Sequence, residues 1–536
     1  MASSGARAVP TGLEPLVQLD ANGMPPWPAL VAYMLMAFGM FISVLDIQIV
    51  SASLPQIQAG LSASADEASW VQTSYLIAEV VMIPLAAFLS RAMSIKWLFA
   101  ASAASFTFAS FLCSTADSIE QMIIYRAIQG FTGGAMIPSF YQAGFAMFGR
   151  ARQGKLMVVT AMLVTLAPTI GPVVGGFISD LMGWRWLFLI NIVPGILITF
   201  GVWALVDIDK PDWALLKRID LIGLAGMAIF LGGLAYVLEE GARHQWFEDD
   251  LVRDVALIAG AGALLFFWRV FTVPEPIVRL GAFANTNFRG GALLGAVFGI
   301  ALYGLVYLYP LFLARVAKMT SMQIGTTLLV TGVFMVGTAP FAGWLTRRHD
   351  PRVVLSAGFV LFAVSTWLTS GISADWRFAE LFVPQMLRGM GIMCCIVSIS
   401  NTSFATLSPE QLKDGPGLFT LMRNLGGTLG LALVNTVSLD RFNFHWARLA
   451  ESVNPARPEI AARIDMMREM ASARGLADPD ASAARMMAGQ VAEQATVMSY
   501  ADAFWMMSIL FIACAALPFL LKRPATLEQT AAAEAH

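Results

Sequence analysis

Long apolar runs are the feature of this sequence that most constrains its fold. Crossing the hydrocarbon core of a bilayer takes about 20 apolar residues as a helix, and only helices and closed barrels satisfy their backbone hydrogen bonds there. The 536-residue chain is 57% hydrophobic and 13% charged, whereas a typical soluble domain carries about 25% charged residues. The sequence therefore predicts an all-α integral membrane protein embedded in the lipid bilayer.

Fourteen apolar runs are long enough to serve as membrane spans. They lie at residues 29–50, 68–90, 97–114, 119–141, 156–179, 186–206, 219–239, 254–272, 290–314, 324–345, 353–371, 379–403, 416–438 and 500–521. An even number of spans predicts that both ends of the chain lie on the same side of the membrane.

The distribution of basic residues predicts which side that is. Lysine and arginine concentrate in every second loop, as at Arg91, whereas most of the loops between them are acidic. By the positive-inside rule, the basic loops and both termini are cytoplasmic. The loop with Arg315 and Lys318 is an exception. We expect cytoplasmic tails at 1–28 and 522–536, because the first segment lacks the pattern of a signal peptide.

Two segments of the chain resemble each other at a constant offset. They are "PLAAFLSRAMSIKWLF" (84–99) and "PFAGWLTRRHDPRVVL" (340–355), which pair Pro84 with Pro340, Arg91 with Arg347, and Lys96 with Arg352. This repeat predicts two six-helix bundles, over 29–206 and 290–521, with two inserted spans in the linker 207–289. Repeated bundles of this kind bind substrate near the midplane, at their interface.

Two carboxylates lie deep within predicted spans. Asp46 stands in "VLDIQIV" and Glu79 in "YLIAEVVMIP". Because a charge in lipid is costly, both are expected to face the protein interior, where each is a candidate proton carrier. The structural alternatives are a hydrogen-bonded carboxylate at a helix junction for Asp46, and for Glu79 an ion pair with Arg126 or Arg423.

Three arginines also fall within spans. Arg126 is expected to have a buried partner or a water-filled cavity, and the alternative is that it snorkels to the interface beside Glu120. Arg388 and Arg423 are candidate cavity charges, or else lie near the membrane edge.

The segment "LAPTIGPVVGG" (166–176) contains prolines, which disrupt a helix, and glycines, which leave its surface without side chains. Gly171 and Gly175 form a GxxxG pair that allows close approach of another helix. Pro168 and Pro172 remove backbone donors and favour a bend. The segment is therefore expected to be a tightly packed contact within the membrane.

Together these features resemble the 14-helix drug:proton antiporters of the major facilitator superfamily, of the EmrB/QacA type. The resemblance covers essentially the whole chain and rests on "LDIQIVSASLP", the basic loop at 91–96, "RAIQGFTGG", "LAPTIGPVVGG" and "GWRWLFLIN". It implies a major facilitator fold of two pseudo-symmetric six-helix bundles plus two inserted helices. It also implies export of lipophilic or amphipathic small molecules, such as drugs, in exchange for protons.

The resemblance assigns roles to several residues. It identifies an antiporter motif, which is thought to seal the bundle interface against proton leak, at Pro168, Gly171, Pro172, Gly175 and Gly176, although ordinary close packing is the alternative. It places Arg126 in the proton-coupling apparatus, and the basic residues Arg91, Lys96, Arg347 and Arg352 in cytoplasmic gating loops. The first basic loop departs from the family pattern, because Ala87 and Ser94 replace expected glycines and no aspartate precedes Arg91.

Several other classes of protein are disfavoured. "GRARQGKL" (149–156) resembles a phosphate-binding loop, but Leu156 stands where a serine or threonine would bind magnesium. No metal-ligand spacing or nucleophile–base pair is present, and the net charge of −2 gives no reason to expect a nucleic-acid partner. We therefore expect no cofactor, no enzyme activity and energy from an ion gradient. An uptake transporter of the same fold and a non-transporting sensor or lipid-handling protein remain alternatives.

One polar segment, at 440–499, is too long to be a simple connection between spans. We expect it to lie outside the membrane as a helical cap, with a helix beginning at Asp480 or Ser482. The resemblance implies a Gram-negative inner membrane and, as partners, a periplasmic adaptor and an outer-membrane channel that dock on this segment. The alternative is a cap over the outer vestibule.

Overall fold

Helices make up every element of the described structure. The computed structural model describes residues 26–521 apart from 409 and 455, and their side chains except at 52, 65–66, 149–157 and 321–322. Most of the expected N-terminal tail and all of the C-terminal tail lie outside the described residues. Within the described part, seventeen α-helices and three short 3-10 helices confirm the all-α prediction.

The N-terminal bundle follows the first six predicted spans. It consists of α1 (Trp27–Ala52), α2 (Leu54–Gly60), α3 (Ala65–Ser114), α4 (Ile119–Gly133), α5 (Met136–Met182), α6 (Trp186–Leu189) and α7 (Ile192–Leu205). Polar caps set where the apolar helices begin. Ser64 and Glu67 form a capping box at the start of α3, and Ser118 accepts a hydrogen bond from the backbone N–H of Gln121 at the start of α4.

A single residue divides α3. Ser94 has φ 72° and ψ 156°, outside the helical region, and this conformation is normally adopted by glycine. The family pattern described above predicts a glycine at this position. Ser94 adopts the backbone conformation that is typical of glycine. The break separates the predicted spans 68–90 and 97–114.

The linker carries a helical hairpin. After α8 (Trp213–Leu216) come α9 (Leu221–Glu240) and α10 (Asp250–Thr272), which are joined by a loop that contains the 3-10 turn Trp246–Glu248. Asp220 caps the start of α9 and pairs with Arg269 near the end of α10, with 2.9 Å between Oδ1 and Nη2. This ion pair holds the open end of the hairpin together.

The C-terminal bundle consists of α11 (Thr286–Arg315), α12 (Ser321–Arg348), α13 (Pro351–Thr369), α14 (Phe378–Phe404), α15 (Gln411–Ser452) and α17 (Pro479–Cys514), with α16 (Pro458–Ala473) between the last two. Both α15 and α17 continue past their predicted spans, and with α16 they make the segment 440–499 helical. The helix predicted to start at Asp480 or Ser482 starts at Pro479, with Asp478 as its cap.

The number of spans is close to the prediction. Twelve helices of the described part are long and apolar enough to cross a membrane, so the expected fourteen are not fully confirmed. Fourteen are reached when the two halves of α3 are counted separately and α4 is joined to the start of α5. We call the end of the molecule with Arg91, Arg347 and Arg352 the basic face, and the other end the opposite face.

The two bundles meet along two seams. On one, α5 packs against α12; on the other, α3 packs against α15, and α9 lies against both. Glycines bring α12 close to α5: a Cβ at Gly325 would lie 2.6 Å from a methyl group of Val173, and one at Gly343 would lie 2.7 Å from Val158. The predicted interface between the bundles therefore contains small residues along its length.

Candidate functional site

An ion pair between Asp46 and Arg126 lies inside the N-terminal bundle. Nη1 of Arg126 is 2.5 Å from Oδ2 of Asp46, and both side chains are completely shielded. The carboxylate comes from α1 and the guanidinium from α4. Arg126 therefore has a buried partner, as expected, and does not snorkel to the interface beside Glu120.

Three polar side chains complete the environment of Asp46. Its Oδ1 atom accepts hydrogen bonds from Asn191 Nδ2 (2.7 Å) and Gln129 Nε2 (3.1 Å). Both amides also donate to Ser110 Oγ, at 3.3 and 2.7 Å. Ser110 belongs to α3, Gln129 to α4, and Asn191 precedes the first residue of α7. Together with Asp46 of α1, this hydrogen-bond network connects four helices of one bundle.

The guanidinium of Arg126 is enclosed by aromatic rings. Its Nε atom donates to the carbonyl oxygen of Val71 at 3.1 Å, and its Cζ atom lies 4.3 Å from the ring centre of Tyr75 and 5.8 Å from that of Phe188. Cation–π contacts of this kind partly replace hydration of a buried cation. Only Nη2 is buried without a hydrogen-bond partner among the atoms of this guanidinium.

Glu79 faces a different environment, near the seam between the bundles. Its side chain is buried, and its backbone packs closely on α4, where a Cβ at Gly134 would lie 2.8 Å from the Glu79 carbonyl oxygen. The charges that act on its carboxyl group are first Arg423, from the C-terminal bundle, and then Arg126. In the described part of the chain neither arginine forms an ion pair with this carboxyl group, so the attraction acts at longer range.

Arg423 is a buried cation with free donor atoms. Its Nη2 atom donates to Asn424 Oδ1 at 3.3 Å, but Nε and Nη1 are buried without a hydrogen-bond partner. The hydroxyl groups of Tyr141 and Tyr303 face its guanidinium from the two bundles. Arg423 is only 1% exposed, so it lies within the protein interior, and its unsatisfied buried donors are of a kind that is rare and costly.

Arg388 is buried in α14 of the C-terminal bundle, and among the residues that the structure describes it forms no ion pair with a carboxylate. Its Nη1 atom donates to Gln385 Oε1 at 3.1 Å, and its Cζ atom lies 5.0 Å from the ring centre of Tyr309. The Tyr309 hydroxyl is in turn 2.7 Å from Thr369 Oγ1. Both buried arginines therefore lie over a tyrosine ring, and Arg388 has an amide oxygen as its hydrogen-bond partner.

The segment 166–176 packs closely against α1. A Cβ at Gly171 would lie 2.4 Å from that of Gln48, and one at Gly175 would lie 2.6 Å from the carbonyl oxygen of Ile49. Gly176 is also buried. The helix continues through Pro168 and Pro172. The other side of α5 meets α12, so this segment lies between the first helix and the opposite bundle.

At the basic face, one arginine crosses between the bundles. Arg91 at the end of the first half of α3 forms an ion pair with Asp414 at the start of α15, and Gln142 Nε2 of α5 donates to the carbonyl oxygen of Lys413 at 2.8 Å. The carboxylate that the first basic loop lacks is therefore supplied by the other bundle. These contacts join the bundles at this end.

The turn after Arg91 is held by the linker. Both carboxylate oxygens of Asp209 accept from the backbone N–H of Ile95, at 3.1 and 3.0 Å, directly after the break at Ser94. Partial burial raises the pKa of the Asp209 carboxyl, and the hydrogen bonds from Ile95 oppose this effect. The linker thus caps the second half of α3.

The other predicted gating residues do not join the bundles. Arg352 pairs with Asp350, at 2.7 Å, and donates to the carbonyl oxygen of Leu521 in the same bundle. Arg347 is exposed and Lys96 is partly buried. The two repeated basic loops therefore differ in structure, and the first one carries the contact between bundles.

Sequence reasoning missed the groups that complete this site. Gln129 lies three residues after Arg126, on the same helix face, and that spacing was an available signal. Asn191 and Asp414 gave no such signal, because they are 145 and 323 residues from the side chains that they bind.

Metal-binding side chains are dispersed in the part of the chain that the structure describes. There, no three histidine, cysteine, aspartate or glutamate side chains lie close enough to hold a metal ion. The four cysteines are buried and unbonded to one another.

The structure thus consists of two helical bundles with buried arginines, joined at a charged end, and comparison with protein families gives the class of protein. The model of the Major Facilitator Superfamily matches residues 36–447. The chain belongs to this superfamily and is a multi-pass membrane protein. It is similar to the human organic anion transporter MFSD10, with a TM-score of 0.55 and 13% identity over 91% of this chain and all of that one, a likeness that concerns the fold alone.

Comparison with individual proteins shows which kind of superfamily member the chain resembles. The chain is 38% identical to the colistin resistance protein EmrB of Acinetobacter baumannii, over 93% of this chain and 97% of the relative. It is 28% identical to the multidrug export protein EmrB of Escherichia coli, over 91% and 94% of the two chains. It is also 28% identical to the fatty acid resistance protein FarB of Neisseria gonorrhoeae, over 92% and 97%. The predicted resemblance to exporters of the EmrB type is confirmed.

Proposed function

We propose that this protein is an efflux transporter, driven by the proton-motive force, that exports lipophilic or amphipathic small molecules by alternating access. The observation that carries the proposal is Glu79, a buried carboxyl group on the seam helix α3 that is attracted to Arg423 of the opposite bundle and, more weakly, to Arg126 of its own. Family membership and the names of the relatives support the class of function. The basic face is then cytoplasmic, and the membrane is the inner membrane of the cell.

In this mechanism, Glu79 rather than Asp46 carries the coupled proton. Asp46 already binds one guanidinium and two amides within a single bundle, so loss of its charge would leave Arg126 buried and uncompensated. Glu79 is attracted to Arg423 across the seam. Protonation removes this attraction and frees the bundles to rock, and a substrate that competes with the proton at this seam completes an exchange by linkage.

The remaining sites have supporting roles in the proposal. Arg91 and Asp414 close the cytoplasmic side, and breaking their ion pair opens it. The antiporter motif, with Gly171 and Gly175 against α1, keeps the N-terminal bundle rigid beside α12 and limits proton leak. Arg423, with two free donor atoms, lines the path between the bundles. Arg388 lies in the core of the C-terminal bundle beside Tyr309.

Proton release from energised everted vesicles tests this proposal. We would follow acridine-orange fluorescence while adding colistin, a long-chain fatty acid and ethidium, which are a polycation, an amphiphilic anion and a lipophilic cation. Vesicles with the protein should release protons when at least one compound is added, and vesicles without it should not. Movement of a compound and protons in the same direction would instead support an importer. The absence of any protein-dependent proton flux with all three compounds would overturn the proposal.

The segment 440–499 is the proposed docking surface for a periplasmic adaptor, which in turn connects to an outer-membrane channel. It is polar overall but exposes several large apolar side chains, at Phe444, Trp446, Met466, Met470, Leu476 and Met498. Exposed apolar groups outside the membrane favour a protein partner. Only a small cluster around Met467 and Met487 packs inside it.

Charged substitutions on this segment separate docking from transport. Met466→Lys with Met470→Lys should abolish resistance of intact cells while leaving proton exchange in everted vesicles unchanged, because only the cell needs the outer channel. Arg463→Lys, at an exposed position of the same helix, should change neither the resistance of cells nor proton exchange in vesicles. Full resistance of cells that carry the double variant would contradict docking at this helix.

A further inference from the structure

The inserted hairpin covers the seam between α3 and α15 from the side. Helices α9 and α10 pack tightly on each other, since a Cβ at Gly233 would lie 2.7 Å from that of Ala259. Of the two, α9 lies against both α3 of the N-terminal bundle and α15 of the C-terminal bundle. If the bundles rock, the hairpin must move with one of them.

The attachment to the N-terminal bundle is extensive. The rings of Trp70 and Tyr236 stack with their centres 5.5 Å apart. Glu240 is buried and accepts hydrogen bonds from Ser69 and Thr73, each at 3.2 Å. Ile77 also contacts the hairpin, within a cluster of apolar side chains that contains residues of α3 but none of α15.

At the opposite face, the hairpin loop (residues 241–249) adds a polar contact to the packing of α9 on α15. The indole Nε1 of Trp246 donates to Thr436 Oγ1 of α15 at 3.1 Å. The ring of Trp246 lies over Gly241 of its own loop, where a Cβ would be 2.7 Å from it. The loop thus presents the indole N–H to α15.

The backbone that positions this indole is strained. Gln245 and Trp246 both have positive φ angles, 57° and 59°, and neither is a glycine. Side chains with a Cβ adopt this conformation at a cost, and two in succession are held there only when the surroundings require it. Here the backbone N–H of Trp246 donates to the carbonyl oxygen of Gly241 at 2.7 Å, which closes the turn.

We infer that Trp246 is a gating residue of the transport reaction: it latches a hairpin carried by the N-terminal bundle to Thr436 of the C-terminal bundle, and this contact breaks whenever the bundles separate at the opposite face. The inference rests on the proposed alternating access. The apolar cluster, the ring stack and the buried hydrogen bonds hold the hairpin to α3 more extensively than its packing and one hydrogen bond hold it to α15, so the hairpin follows α3.

Reversible crosslinking tests the latch. In full-length protein with its four native cysteines replaced by alanine, Trp246→Cys and Thr436→Cys would be joined by a short bifunctional methanethiosulfonate that dithiothreitol cleaves. The crosslink should reduce proton exchange in everted vesicles by about tenfold, and reductant should restore it. A matched pair, Trp70→Cys with Tyr236→Cys, joins the hairpin to α3, and its crosslink should leave exchange unchanged.

The outcomes separate this inference from the proposed function. If the reduced variant exchanges protons and the crosslinked 246–436 variant does so equally well, the latch is overturned and the transport function stands. Loss of exchange from both crosslinks would also overturn it, because the hairpin would not travel with α3. If reduced variants and wild type alike show no exchange, the proposed function fails and the latch falls with it.

A conservative substitution gives a second readout. Trp246→Phe keeps an aromatic ring but removes the indole N–H donor, and Thr436→Val removes the hydroxyl acceptor. Each should raise proton leak without substrate by about fivefold, as expected when one net hydrogen bond that holds the closed state is lost. Leak equal to that of wild type in both variants would overturn the assignment.

Discussion

Asp46 and Glu79 are two buried carboxylates on neighbouring spans, but they differ in what surrounds them. Asp46 is bound by Arg126, Gln129 and Asn191, so replacing it leaves an unpaired buried cation. The sequence located both carboxylates, because lone charges in apolar runs are conspicuous. It could not distinguish them, since the partners of Asp46 are 80, 83 and 145 residues away.

Asp46→Asn should destabilise the protein by about 3–5 kcal/mol, because it removes one member of a buried ion pair and leaves the other uncompensated. Thermal unfolding in detergent would measure this effect. Glu79→Gln is the matched control, a buried carboxylate outside that ion pair, and should have a much smaller effect. The double variant Asp46→Asn with Arg126→Gln should regain most of the lost stability. An Asp46→Asn protein as stable as wild type would contradict this account.

Helix α5 shows what a single element contributes. Its hydropathy and its GxxxG pattern predicted a span with a close contact, and the contact is present. The sequence could not identify the partner, because small residues indicate close approach and not which helix approaches. The helix break at Ser94 and the fusion of predicted spans into longer helices were also beyond hydropathy, since a helix can continue past the membrane edge with its backbone hydrogen bonds intact.

Gly175→Ala should destabilise the protein by about 1–3 kcal/mol and reduce proton exchange, because the new Cβ would lie 2.6 Å from the backbone oxygen of Ile49. Gly337→Ala in α12 is the matched control, since nothing lies within 4 Å of a Cβ there, and it should be neutral or slightly stabilising. Thermal unfolding of both variants in detergent would compare them. Equal stability of the two variants would argue against a tight α5–α1 contact.

At the scale of the whole molecule, the central proposal is that Glu79 on the seam helix α3 couples protons to transport. The overall architecture followed from apolar runs, charge asymmetry and an internal repeat. The contacts that join the bundles did not, because Arg91 with Asp414 and Trp246 with Thr436 connect residues 323 and 190 positions apart. These contacts depend on tertiary packing that no local pattern encodes.

Transport into proteoliposomes that contain the purified full-length chain tests this claim most directly. The probe would be whichever of colistin, fatty acid or ethidium releases protons in vesicles, and wild type would be compared with Glu79→Gln. Wild type should accumulate the probe when the lumen is acidic. Glu79→Gln should lose this proton-driven accumulation by about tenfold yet still exchange labelled for unlabelled probe without a gradient. Proton-driven accumulation by Glu79→Gln at the wild-type level would contradict the central claim.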